Sequence, residues 1–172
     1  KNHAAGGGSV ALGQENIAWG TTNFTSGFQN VAGDANAPVG AAGSATAMGT
    51  GTTASGRSSF SANNNTTASN QASAALGLST TADNFGMLAV GVNNSAGVGD
   101  TSIDPDNYGG YYYADGEYTG TPPGVAFVIG NGDVDSSNGL AGANPSNAFV
   151  VNFDGSATLS GDLTINSDAR LK

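Results

Sequence analysis

Ser9-Val10-Ala11-Leu12-Gly13 and Asn16-Ile17-Ala18-Trp19-Gly20 are one five-residue phrase written twice, seven residues apart. Followed along the chain, the last place of the phrase becomes a column. It runs Gly13, Gly20, Gly27, Asp34, Gly49, Gly56, Asn63, Asn70, Gly77, Asn84 and Gly91, in steps of seven with one step of fifteen after Asp34. Every member is Gly, Asn or Asp, the residues that best tolerate positive φ, so each slot reads as a tight left-handed turn. Two residues earlier runs a second column, Ala11, Ala18, Thr25, Ala32, Ala47, Ala54, Ser61, Ala68, Ala75, Ala82 and Ala89, small throughout.

Seven residues hold a strand of about four residues and a turn. A heptad coiled coil is excluded, because it would set a glycine in every second helical turn at about 1 kcal/mol each against alanine. Side chains alternate across a strand, so the small residue points one way and its two neighbours the other. Two strands per 14-residue coil leave a thin interior that only Ala, Ser or Thr fits. The pattern therefore predicts an all-β chain, a parallel β-solenoid with 14-residue coils, over residues 1–98.

With Ala42 filling the missing slot, the outward pairs fall into two sets. One carries Ile17/Trp19, Val31/Gly33, Thr46/Met48, Phe60/Ala62, Ala74/Leu76 and Leu88/Val90, and stays largely apolar. The other carries Val10/Leu12, Phe24/Ser26, Val39/Ala41, Thr53/Ser55, Thr67/Ser69 and Thr81/Asp83, and turns polar after its third rung. The one extra residue is assigned to a bulged turn at Asp34-Ala35-Asn36-Ala37-Pro38. A coil this thin cannot cover an apolar ladder by itself, so the expected cover is self-association of identical faces, three copies around an axis.

Composition limits the partners. The 172 residues carry a formal charge of −9 with only four Lys and Arg. No basic patch for nucleic acid can be assembled from these, and anionic membrane surfaces are disfavoured. Cysteine is absent, and no apolar run reaches the roughly 18 residues of a membrane span. No signal peptide is visible, and Lys1 is read as a cut point in a longer protein. His3 is the only histidine, and Gly130-Asn131-Gly132 precedes no helical pattern, so neither a His-based site nor a nucleotide loop is expected. No cofactor and no metal are assigned.

Residues 99–124 read as a connector rich in Asp and Tyr, including Tyr111, Tyr112 and Tyr113. It is expected to pack as an irregular link; glycan contact is the sharper alternative, since aromatic faces and carboxylates suit sugar rings. Asp104, Asp106, Gly109 and Asp115 match positions 1, 3, 6 and 12 of a calcium loop, but Tyr108 replaces an oxygen ligand at position 5 and Asp replaces Glu at position 12. Residues 125–172 read as a β-hairpin neck. Val125–Ile129 and Ala148–Phe153 are strands around a polar loop from Gly130 to Asn147, Asp154-Gly155 is a turn, and Ala157–Leu159 and Leu163–Ile165 are short strands.

Two resemblances follow. The phrases quoted first, with Ser73-Ala74-Ala75-Leu76-Gly77, resemble the head repeats of trimeric autotransporter adhesins over about residues 8–98. That resemblance implies a left-handed parallel β-roll and a homotrimer. The end of the chain, Ser167-Asp168-Ala169-Arg170-Leu171-Lys172, resembles the opening of the intramolecular chaperone of endosialidase type carried by phage tail fibres and tailspikes. It implies self-cleavage between Ser167 and Asp168 in the full-length precursor, with Ser167 as nucleophile and Lys172 as its activating partner. Together they point to a non-enzymatic fibre that attaches a phage or phage-like particle to a cell-surface glycan or protein receptor, outside the cell or on a virion. A bacterial trimeric autotransporter adhesin head, a capsule-depolymerising tailspike and an ice-binding solenoid (from Thr53, Thr67 and Thr81) are the alternatives.

Overall fold

The computed structural model describes residues 1–35, 43–95 and 124–162. Among these residues there are seventeen strands and no helix. Six short strands, β1 (His3–Ala4), β3 (Ile17–Ala18), β5 (Val31–Ala32), β7 (Thr53–Ala54), β9 (Thr67–Ala68) and β11 (Thr81–Ala82), stack into one parallel sheet. Six longer ones, β2 (Val10–Gln14), β4 (Phe24–Phe28), β6 (Thr46–Thr50), β8 (Phe60–Asn64), β10 (Ala74–Leu78) and β12 (Leu88–Val92), stack into the other. The chain passes from sheet to sheet at each half-coil. The chain is therefore a β-solenoid, as the period predicts.

Register corrects the account of the insertion. Val10 pairs with Phe24, Ile17 with Val31, and Thr46 with Phe60, each 14 residues on. Phe24, however, pairs with Thr46 and Val31 with Thr53, 22 residues on. The third coil thus carries eight more residues than its neighbours rather than one, and the rung beside Phe24 begins at Thr46, in the place the period gives to Val39. Residues 36–42, with Ala42, lie outside the described residues. The two outward sets exchange members at this point. Val10, Phe24, Thr46, Phe60, Ala74 and Leu88 share the long-strand sheet, while Ile17, Val31, Thr53, Thr67 and Thr81 share the short one.

The turns sit two residues beyond the glycine column. Glu15, Thr22, Gln29, Ser44, Ser58, Asn65, Ala72, Ser79 and Asn93 all have φ between 41° and 63°. The glycine column does something else. Gly13, Gly27, Gly49, Gly77 and Gly91 lie inside the long strands at φ of 102° to 125°. A Cβ on Gly13 would overlap the carbonyl of Gly27 on the next coil, and the same holds for Gly27 on Gly49 and Gly77 on Gly91. Gly56, expected at positive φ, is not in that region; its glycine is required because a Cβ would overlap the carbonyl of Asn70. Close backbone approach between coils, more than turn strain, selects glycine here.

The small column is the interior as expected. From Ala18 to Ala89 every member is fully buried, with only Ala11, at the open first coil, partly exposed. A second inward column, two residues earlier, escaped the sequence reading. It holds Asn16, Asn23, Asn30, Thr52, Ser59, Thr66, Ser73, Thr80 and Met87, all buried. Buried polar groups need partners, and the coils supply them. Asn16 donates from Nδ2 to the carbonyls of Leu12 and Gly27, both at 2.7 Å, and its Oδ1 accepts from Asn30 N at 3.0 Å. Asn30 repeats this toward Ser26, Gly49 and Thr52. Ser61 Oγ and Thr66 Oγ1 lie 2.7 Å apart.

One coil later Ala75 takes the place of Ser61, and Thr80 Oγ1 is left buried without a partner. Replacing an unpartnered hydroxyl by a methyl group removes a desolvation cost. Thr80→Val is therefore expected to leave stability unchanged or raise it by about 1 kcal/mol. Thermal unfolding checks this, and a clear loss would show that the hydroxyl is hydrogen-bonded.

After the shaft, β13 (Val125–Asn131) joins the long-strand sheet parallel to β12, pairing Leu88 with Phe127 and Gly91 with Gly130. It is in effect a further rung, and Val125 and Val128 close the interior together with Met87 and Ala89. The expected polar loop contains a small hairpin, β14 (Val134–Asp135) with β15 (Leu140–Ala141). Then β16 (Asn147–Asn152) and β17 (Ala157–Leu159) add antiparallel strands, joined through the Asp154-Gly155 turn. Leu163–Ile165 lies outside the described residues.

Candidate functional site

The long-strand sheet turns its inner side to the coil interior and its outer side to solvent. Cross-strand partners in register point the same way. The outer side therefore carries Val10/Leu12, Phe24/Ser26, Thr46/Met48, Phe60/Ala62, Ala74/Leu76 and Leu88/Val90 in line. Phe127 and Ile129 continue it on β13, Val151 and Phe149 on β16, and Ala157 and Leu159 on β17. Across all nine strands of the sheet these outward places hold no charged residue. Val10 is 41% exposed, Leu12 52%, Met48 40% and Leu159 44%. So large a run of open hydrocarbon marks an interaction face rather than scattered surface residues.

The short-strand sheet presents a different outer side. Ile17, Trp19 and Val31 lead it, and the His3 ring meets Trp19 edge-on with centroids 5.1 Å apart. From the fourth short strand on, Thr53, Thr67 and Thr81 stack in register. Trp19 thus belongs to the sheet that becomes polar, not to the apolar ladder where the period placed it. That correction leaves the apolar ladder confined to one face and unbroken, beginning at Val10.

Four carboxylates among the described residues, Glu15, Asp133, Asp135 and Asp154, accept hydrogen bonds from nearby groups. Asp133 accepts from Asn144 N at 2.8 Å and from Asn144 Nδ2 at 2.9 Å, with Asn93 Nδ2 at 3.4 Å, and so fastens the β14–β15 hairpin to the top of the shaft. The Asn144 amides, above all, hold its carboxyl below the usual carboxylate range. Ser137 does the same for Asp135 and Ser156 for Asp154. Gln29, then Gln14, lowers that of Glu15. Among the described residues no three His, Cys, Asp or Glu side chains come together as a metal site, and no helix is long and apolar enough to cross a membrane.

Ser167 and Lys172 lie outside the described residues, as do Asp104, Asp106, Asp115 and the tyrosines of the connector. No protein-family model matches the chain, and neither does any curated protein or solved structure.

Proposed function

We propose that this chain is a stretch of a homotrimeric fibre that attaches a phage or phage-like particle to a receptor on a cell surface. The observation that carries the reading is the exposed, uncharged, apolar outer side of the long-strand sheet. Nine strands at about 4.8 Å spacing, each about 16 Å wide, give a face on the order of 600 Å². That approaches the roughly 800 Å² per partner of a stable interface. Since the net charge is −9, copies repel at a distance, and a face free of charge is where they can meet. Three such faces around an axis leave the Thr53–Thr67–Thr81 sides outward, in water and facing a receptor. The likeness of the repeats to autotransporter adhesin heads supports the trimer. The Ser167-to-Lys172 motif supports the phage fibre and its cleavage after Ser167.

Sedimentation equilibrium tests the assembly. A mass about three times 16.7 kDa is expected, and a folded monomer would overturn the reading. Binding of the trimer to a glycan array or to host cells tests attachment, and absence of binding to both would leave a structural shaft only.

A further inference from the structure

A side-chain amide can be attacked by the backbone nitrogen of the next residue, and glycine in that next place hinders the approach least, having no side chain. The sequence holds two such pairs, Asn131-Gly132 and Asn138-Gly139, and the structure treats them differently. Asn131 ends β13, in register with Val92. Its N–H donates to Ser146 O at 3.0 Å, Gly132 N–H donates to Val92 O at 3.0 Å, and its Oδ1 accepts from Ser146 Oγ at 2.7 Å. A Cβ on Gly132 would overlap the Asn93 carbonyl, so the backbone there is closely packed. Asn138 and Gly139 instead sit exposed in the loop between β14 and β15. Gly139 has a φ of 70°, and among the described residues nothing lies within 4 Å of a Cβ built on it. The Asn138 amide is held at both ends: its Oδ1 accepts from Leu140 N at 2.8 Å, and its Nδ2 donates to Asp135 Oδ2 at 3.0 Å.

We infer that Asn138 is a self-modification site, converted without an enzyme to aspartate and isoaspartate through ring closure by the Gly139 nitrogen. Gly139 N gives up its proton to water and bonds to Asn138 Cγ. Negative charge gathers on Oδ1, where the Leu140 N–H already stands as the donor that stabilises it. The Cγ–Nδ2 bond then breaks, Nδ2 takes a proton from water and leaves as ammonia, and a cyclic imide remains. Water opens the imide at either carbonyl. One opening leaves Asp at position 138, and the other carries the backbone through the side chain as isoaspartate. Closure requires the bond from Gly139 N to Asp135 O, 2.8 Å in the resting loop, to open, and exposed loop tips open most cheaply. At Asn131 the same step would pull Gly132 out of its bond to Val92, at the end of the central strand pair of the neck. Conversion has a structural result. Ser137 holds the Asp135 carboxyl below the usual range, so it is ionised at neutral pH. The new carboxylate at 138 meets it where an amide donor stood, and adds one negative charge to the formal −9. The β14–β15 hairpin is thereby loosened as the protein ages.

The test follows both pairs in one sample. The 172-residue chain is held at mildly alkaline pH and body temperature, folded or in urea, and peptide mapping by mass spectrometry reads the conversion of Asn138 and Asn131 over time. In the folded chain Asn138 should convert at least about tenfold faster than Asn131, and in urea the two rates should fall within about threefold of each other. The product at 138 should contain isoaspartate, which direct hydrolysis of the amide cannot give. Gly139→Ala, at a position with room for the methyl group, should slow conversion of Asn138 by about tenfold or more while circular dichroism keeps the strand signal. Equal rates at the two asparagines in the folded chain, or an Asn138 that stays intact while Asn131 reacts, would overturn the assignment of the site. Conversion to aspartate alone, or at an undiminished rate in Gly139→Ala, would overturn the ring closure.

Discussion

Gly77→Ala should destabilise the solenoid by about 3 kcal/mol or more, whereas Gly155→Ala should cost about 1 kcal/mol. Both glycines have positive φ, 125° and 86°, so both substitutions force an L-residue into a left-handed backbone. They differ in what surrounds them. Beside Gly155 nothing lies within 4 Å of the added Cβ, and only the conformational strain is felt. At Gly77 the Cβ would overlap the Gly91 carbonyl, with Gly91 N at 3.2 Å. Gly91 cannot retreat, being paired in β12 between Gly77 and Gly130. The two strands would have to part, at the expense of the ladder bonds between them. Urea unfolding of both variants separates the two contributions. Equal losses would mean that coil-to-coil contact is looser than described and that strain alone selects glycine.

Asn30→Ala is expected to cost about 4 kcal/mol, the largest effect of any polar substitution in the shaft. The side chain is fully buried. Its Nδ2 reaches Ser26 O at 2.9 Å, Gly49 O at 2.8 Å and Asn16 Oδ1 at 2.9 Å. Its Oδ1 accepts from Thr52 N at 3.0 Å and Thr52 Oγ1 at 2.7 Å. These contacts link three successive coils and do so beside the 22-residue step, where the chain leaves the regular repeat. Alanine would strand a backbone N–H and two carbonyls in a space with little room for water, at about 1–3 kcal/mol for each group left unsatisfied. Denaturant unfolding measures the loss. A cost under 1 kcal/mol would indicate that water replaces the amide, and that the polar column is filler rather than framework.

These two residues also show why parts of the structure were legible in the sequence and others were not. The Ala column was readable because an interior two strands thick admits only small side chains, and that restriction recurs at every coil. Asn30, Thr52 and Thr66 point inward as well, yet their residue types are those of loops and surfaces, and hydropathy places them in water. Only their seven-residue spacing, shared with Ser59 and Ser73, could have marked them. The turns were misplaced for a related reason. Glu15, Gln29 and Ala72 adopt left-handed φ without being residues that favour it, so composition is silent there. Gly77 draws the eye to a site whose demand is space. The insertion was underestimated because Val39, Ala41 and Ala42 fit the period in the sequence, whereas the register seats Thr46 beside Phe24. The neck strands were visible as ordinary apolar alternation. That β13 serves as a rung was hidden, because its pairing with β12 spans a long stretch of chain. For the candidate chemistry at Ser167 and Lys172 the motif remains the only support, while the apolar face, once its members are sorted by register, is cleaner than the period implied.

An interior of alanine methyls and hydrogen-bonded amides has a thermal consequence. Heat capacity rises on unfolding because hydrocarbon meets water, and exposing polar groups lowers it. The coil interior holds little hydrocarbon beyond Met87 and the two neck valines, Val125 and Val128. Its share of the stability should therefore vary weakly with temperature, giving a flat, broad curve in place of a steep dome. In the proposed trimer the hydrocarbon that does respond to temperature is that of the outer face, at the contact between copies. Cooling would then weaken the contact between chains well before it loosened the coils within one.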